Sequence, residues 1–229
     1  MTSADEAPLL ESIEIETAPR PRFAVVWMHG LGADGQDFLP IVGKLGLPPE
    51  LGVRFIFPHA PLQPVTINGG YVMRAWYDVL TPGFTQREDA QGVRASQRAI
   101  EALIAREVGR GIEPEHIVLG GFSQGGAMAL HTGLRYPERL GGVVALSTYL
   151  PLAESLPAEA SPANARVPIF MAHGSYDPLI PLSLAMASRD RLVAMGYPVE
   201  WRVYPMQHSV CMDEIADIGA WLRRRMGAD

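Results

Sequence analysis

The chain is poor in cysteine: Cys211 stands alone. One thiol excludes an internal disulfide framework and fits a reducing compartment. No uninterrupted apolar run approaches the roughly 20 residues that cross a bilayer, which argues against stable membrane insertion. There is no excess of positive charge. The net charge is −6, which argues against nucleic acid as a partner. The N-terminus, Met1 to Pro8, lacks a basic segment followed by an apolar one. No secretory signal is therefore expected, and the cytoplasm is the expected setting. Neither H-E-x-x-H nor C-x-x-C spacing occurs, so no metal site is expected. Internal repeats and linkers are also missing. What is abundant is apolar: 48% of 229 residues are hydrophobic, enough for one substantial core.

The apolar residues fall into short runs that alternate with helical patterns. Residues 10–17, with Ile13 and Ile15 between polar neighbours, read as an edge strand that closes an N-terminal extension, 1–22. The main domain then runs over 23–229. Strands are expected at 23–28, 53–57, 117–119, 141–147, 167–173 and 199–204, with a helix near 37–45. In 58–86, Asn68-Gly69 lies between Val65–Ile67 and Tyr71–Met73 and signals a hairpin. Such an apolar, proline-interrupted excursion is a candidate lid or homodimer contact. Thr85 and Glu88 match a capping box for an amphipathic helix over 87–108. Its charges, Arg94, Arg98, Glu101 and Arg106, are expected to form its solvated face. Residues 150–165 read as a surface loop, and helices follow at 181–195 and 211–226. Alternating strands and helices predict one α/β domain on a mostly parallel sheet, with helices on both faces.

The chemistry centres on Gly121-Phe-Ser123-Gln-Gly125. A β-branched strand precedes it and a helical stretch follows, so the pentapeptide reads as a nucleophile elbow. A serine hydroxyl needs a base, and the base needs an orienting acid. Among six histidines, only His208 lies in a late loop between the last strand and last helix. Asp177 ends the strand between nucleophile and base. The resulting order, Ser123, Asp177, His208, is the one expected for an α/β-hydrolase fold. The oxyanion donors are expected to be the backbone N–H groups of Gln124 and Leu31, the latter in the loop after the first buried strand. That loop also spells Gly30-x-Gly32-x-x-Gly35, a dinucleotide fingerprint. No acidic residue ends the next strand, where Pro58-His-Ala-Pro61 stands, so the nicotinamide reading is set aside.

His29-Gly-Leu-Gly-Ala-Asp-Gly35, Gly120-Gly-Phe-Ser-Gln-Gly-Gly126, His173-Gly-x-x-Asp-Pro178 and His208-Ser-x-Cys211 together resemble the acyl-protein thioesterase/carboxylesterase family of α/β-hydrolases. Trp76-Tyr-Asp78 and Leu146–Pro151 are similar to further family segments. The resemblance covers nearly the whole chain after residue 22. It implies serine hydrolysis of a small-molecule ester or thioester with no cofactor. It implies the triad Ser123, Asp177 and His208, with Leu31 and Gln124 at the oxyanion. It further implies that Leu31, Val79, Leu80, Tyr149 and Leu179 line an acyl channel. Tyr149 stands where family members often carry tryptophan, which leaves the acyl-chain preference open. The leading expectation is a carboxylesterase for short- to medium-chain esters. The alternatives are an acyl-protein thioesterase or lysophospholipase, and, from another class, an inactive α/β-hydrolase serving as a small-molecule receptor.

Overall fold

The structure is a computed structural model that describes residues 9–82 and 87–228. In chain order it comprises β1 (Ser12–Glu16), β2 (Phe23–Met28), β3 (Val53–Pro58), β4 (Leu62–Val65), β5 (Tyr71–Arg74), α1 (Ala90–Gly109), β6 (Ile117–Phe122), α2 (Gln124–Arg135), β7 (Gly142–Leu146), α3 (Leu156–Glu159), β8 (Ile169–Gly174), α4 (Leu182–Ala194), β9 (Val199–Tyr204) and α5 (Met212–Arg225). Seven strands form one sheet in the order β1-β3-β2-β6-β7-β8-β9. Only β1 runs antiparallel, against β3; the other pairings in this sheet are parallel. This is the expected α/β-hydrolase fold.

Parallel strands covered on both faces must be apolar at nearly every position, and the two-residue side-chain period then divides them between two cores. Ala24, Val26 and Met28 of β2 join Leu119 of β6 and Met171 of β8 under α1 and α2. Phe23, Val25 and Trp27 join Val118, Leu146 and Phe170 on the opposite face, under Ile218 and Trp221 of α5. Gly219 of α5 lets that helix approach the Leu45 carbonyl, where any Cβ would collide. Among the described residues, no helix is long and apolar enough to cross a membrane.

Several local expectations need correction. The helix near 37–45 is a 3-10 helix, Leu39–Lys44, with Pro40 near its start. The long helix begins at Ala90, where the Asp89 side chain accepts from the Gly92 N–H. Asp89 therefore caps it in place of the proposed capping box, whose Thr85 lies outside the described residues. A single strong cap nearer the apolar stripe displaces a sequence match one turn earlier. The hairpin forms, but Thr66–Asn68 winds into a 3-10 turn between β4 and β5. Residues 150–165 are not simply a surface loop. They contain α3, and the fully buried Asn164 accepts from Leu140 N–H and donates to the Tyr136 and Glu138 carbonyls. Nor is Arg106 only a solvated charge. It binds Glu107, which is 0% exposed in its side chain and also receives Arg54 at 2.6 Å and Arg110 at 3.2 Å. Arg106 and Arg110 also grip Glu14, and Arg54 grips Glu16, which straps the edge strand to the domain.

Candidate active site

Strand β6 delivers Ser123 to the C-terminal edge of the sheet and α2 starts immediately after it. The serine has φ 55° and ψ −121°, a strained region for a residue with a Cβ. The turn is possible because its flanks are glycine. A Cβ on Gly121 would strike the Gly125 backbone, and one on Gly125 would strike the Met28 carbonyl. The Thr148 hydroxyl donates to the Ser123 carbonyl at 2.7 Å, and Ser123 N–H donates to the Leu146 carbonyl at 2.8 Å. The elbow is thus held on both sides.

Asp177 and His208 arrive on neighbouring loops. Ser175 N–H donates to the Tyr204 carbonyl and Tyr176 N–H to the Met206 carbonyl, so the loop after β8 is zipped to the loop after β9. Gly174 keeps that seam close, since a Cβ there would meet the Met206 and Gln207 carbonyls. Within the seam, Asp177 Oδ2 lies 2.6 Å from His208 Nδ1, and His208 Nε2 lies 2.9 Å from Ser123 Oγ. Asp177 Oδ1 accepts from the Leu179 and Ile180 N–H groups, both at 2.9 Å. The carboxylate has no donor of its own, so His208 carries its proton on Nδ1 and presents the Nε2 lone pair to the serine.

The other histidines have structural positions, as expected. His29 donates from Nδ1 to the Gly30 carbonyl and accepts from Ala60 N–H at Nε2. Burial, the dominant influence, lowers its pKa. His59 accepts from Gly35 N–H, and His116 packs on Phe23. His131 meets the Gln97 side chain inside the helical layer. Burial first, then the Arg135 charge, lowers its pKa to about 3, so it stays neutral. His173 donates to the Ile180 carbonyl at 2.9 Å and stands 3.4 Å from Asp177. Burial lowers its pKa too, so it braces the acid's loop as a neutral ring.

Ser123 and His208 open into a cavity of about 560 Å³. Leu31, Val79, Tyr149 and Leu179, four of the five residues expected in the channel, are among those that line it, together with Gln124. Leu80 is not. It lines a second, smaller cleft that shares Tyr77, Val79 and Tyr149 with the first. Val79 therefore borders both spaces and Leu80 only the smaller one. Sequence reasoning missed Ile67, Asn68, Tyr77, Phe122 and Ile180 in the wall. The hairpin turn carries Ile67 and Asn68 over the mouth, tied down by Ile67 N–H to the Val79 carbonyl and Thr66 N–H to Asp78. Leu62, Tyr71 and Val72 of the hairpin are exposed. Tyr77 and Tyr149 share a hydrogen bond of 3.0 Å between their phenols. Burial raises the Tyr149 pKa above the usual tyrosine range, and keeps Tyr77 protonated as well.

A second omission is the side chain of Gln124. Its Oε1 accepts from Trp76 N–H and its Nε2 donates to the Tyr77 carbonyl, both at 2.7 Å. Gln124, directly after Ser123, therefore couples the elbow to the wall that carries Tyr77. The Trp76 indole N–H donates to the His29 carbonyl at 2.9 Å, which fixes the loop holding Leu31.

The phospholipase/carboxylesterase family model matches residues 11–225. The chain is 37% identical to acyl-protein thioesterase 1 of Gibberella zeae, covering 99% of this chain and 98% of that one. Acyl-protein thioesterase 1 of Neurospora crassa is 39% identical, over 97% and 93% of the two chains. The crystal structure of Arabidopsis thaliana SOBER1 superimposes with a TM-score of 0.85 at 33% identity, covering 90% of this chain and 99% of that one.

Proposed function

Because the chain belongs to the phospholipase/carboxylesterase family, and is a serine hydrolase of the ester and thioester type, we propose that its substrates are acyl thioesters of medium to long chain. The observation that carries this reading is the Ser123–His208–Asp177 hydrogen-bonded chain at the mouth of a largely apolar 560 Å³ cavity. That volume lies within the roughly 300–1,000 Å³ of pockets that enclose a whole small-molecule ligand. The sequence alone favoured short- to medium-chain esters. Nearly full-length similarity to two acyl-protein thioesterases reverses that preference.

In this reading His208 removes the Ser123 proton as the hydroxyl attacks the acyl carbon. Asp177 holds the ring in the required tautomer and stabilises the imidazolium. The Leu31 and Gln124 N–H groups receive the oxyanion, and each is worth about 2.7–4 kcal/mol of barrier. His208 then returns the proton to the departing thiol, and water repeats the sequence to release the acid. Leu31, Val79, Tyr149 and Leu179 bind the acyl chain. The enzyme acts in the cytoplasm and no cofactor takes part.

A second reading retains carboxylic esters of short to medium chain, favoured by the carboxylesterase half of the family's description. The two are separated by kcat/KM for matched series of acyl N-acetylcysteamine thioesters and p-nitrophenyl esters, from butyryl to palmitoyl. The thioesterase reading expects the highest value on a thioester of octanoyl or longer. A maximum on butyryl esters, with slow thioester turnover throughout, would establish the second reading instead.

A further inference from the structure

We propose that the leaving-group side of the cavity selects substrates whose departing thiol or alcohol carries a positive charge, with Asp37 as the recognising carboxylate. The inference rests on the hydrolase reading above, but not on the choice between ester and thioester.

The direction of departure follows from the chemistry. The imidazole that deprotonates the serine must later protonate the leaving atom, so the leaving group departs on the His208 side of Ser123. On that side the His208 ring lies against Phe122, which lines the cavity, and Phe38 stands behind Phe122. The His208 and Phe122 rings lie 4.7 Å apart between centroids, and Phe122 and Phe38 lie 5.7 Å apart. Asp37 directly precedes Phe38 and lines the same cavity as Ser123, Phe122 and His208. Ile67, Tyr77, Val79 and Tyr149, which also line the cavity, carry no charge.

Asp37 is the one carboxylate among the described residues lining this cavity, and no lysine or arginine lines it. Its side chain is exposed and makes no hydrogen bond or ion pair with a described residue. Its neighbour Asp34 is engaged with the Gln36 N–H at 2.7 Å. Arg74, whose carbonyl accepts from Gly32 N–H in the same loop, directs its guanidinium to the Ala60 carbonyl. An uncompensated negative charge in a cavity that also holds aromatic rings is the chemistry that recognises an ammonium group. The same charge repels an anionic leaving group. Because Asp37 is wet, the effect is modest and screened by salt.

The test uses octanoylthiocholine, its neutral isostere S-(3,3-dimethylbutyl) octanethioate, and octanoyl-CoA as the anionic case. The ammonium also makes its thiol a better leaving group, so the readout is the cation-to-neutral ratio of kcat/KM compared between variants. At low ionic strength the wild-type ratio should exceed that of Asp37→Asn by roughly three- to tenfold. The gap should shrink as salt is added. Asp37→Lys should lower the ratio further and raise relative turnover of octanoyl-CoA. Equal ratios in wild type and Asp37→Asn, with the neutral thioester hydrolysed, would overturn this proposal and leave the hydrolase reading standing. Hydrolysis of none of the three substrates would overturn both.

Discussion

Replacing Asp177 by Asn separates the orienting role of this residue from its structural one. Its carboxylate has two distinct sets of partners. Oδ1 accepts from the Leu179 and Ile180 N–H groups, while Oδ2 accepts from His208 Nδ1. An asparagine satisfies the first set by keeping its oxygen there, which leaves Nδ2 facing His208. That amide donates where the carboxylate accepted, so His208 must present a lone pair at Nδ1 and carry its proton on Nε2. It then donates to Ser123 instead of accepting from it, and no base is available. The expected loss in kcat is about 10⁴-fold, or roughly 5.5 kcal/mol of barrier. The fold should survive. Two charge-assisted bonds become neutral ones, at a cost of about 1–2 kcal/mol. For a chain of this length that lowers Tm by about 2–8 °C. Asp177→Ala should be distinctly less stable than Asp177→Asn, because it leaves both N–H groups without an acceptor. Steady-state turnover and thermal unfolding on the three proteins check the argument. If the asparagine variant retains a tenth of wild-type turnover, Asp177 does not set the histidine tautomer.

Three further outcomes are expected. Replacing His208 by Ala should cut kcat/KM by orders of magnitude while the fold survives, because Ser123 then has no base; wild-type turnover in the folded variant would remove the imidazole base from the mechanism. Glu214 of α5 is fully buried, and burial raises its pKa to about 8, opposed only by the nearby Cys211 backbone. An acid whose folded-state pKa is raised binds more protons folded than unfolded, so its contribution is complete below about 4.5 and is lost as pH climbs towards 8. Urea titrations should show Glu214→Gln becoming more stable than wild type by about 2–5 kcal/mol across that window, and a pH-independent difference would refute the assignment. Cys211, half-buried against the α5 core, should tolerate Cys211→Ala with most activity kept and slow iodoacetamide inhibition; rapid inactivation would point to a thiol nucleophile.

Much of the fold was legible because its determinants are local. A strand covered on both faces must be apolar throughout, so Phe23–Met28 announces itself, and the glycines around Ser123 answer to backbone clashes within a few residues. The order of serine, aspartate and histidine along the chain was enough to assign the three residues now found hydrogen-bonded. Features set by distant partners were not legible. Nothing near Arg106 marks Glu14, 92 positions earlier by number, as its partner across the helix and edge strand. The bridge from the Gln124 side chain to Trp76 and Tyr77 spans about as little warning: only the backbone of Gln124 had a motif to explain it. Leu80 was assigned with Val79 by resemblance, yet Val79 borders both the cavity and the smaller cleft and Leu80 only the cleft, a difference that a motif does not encode.

The central claim is that Ser123 is a nucleophile activated by His208. It is tested most directly by treating the native protein with a fluorophosphonate probe and mapping the modified peptide by mass spectrometry, alongside a folded Ser123→Ala variant assayed for thioester and ester hydrolysis. The account predicts one adduct on Ser123, none on heat-denatured protein, and no turnover in the variant. An adduct on any other residue, or turnover by folded Ser123→Ala at the wild-type rate, would contradict it.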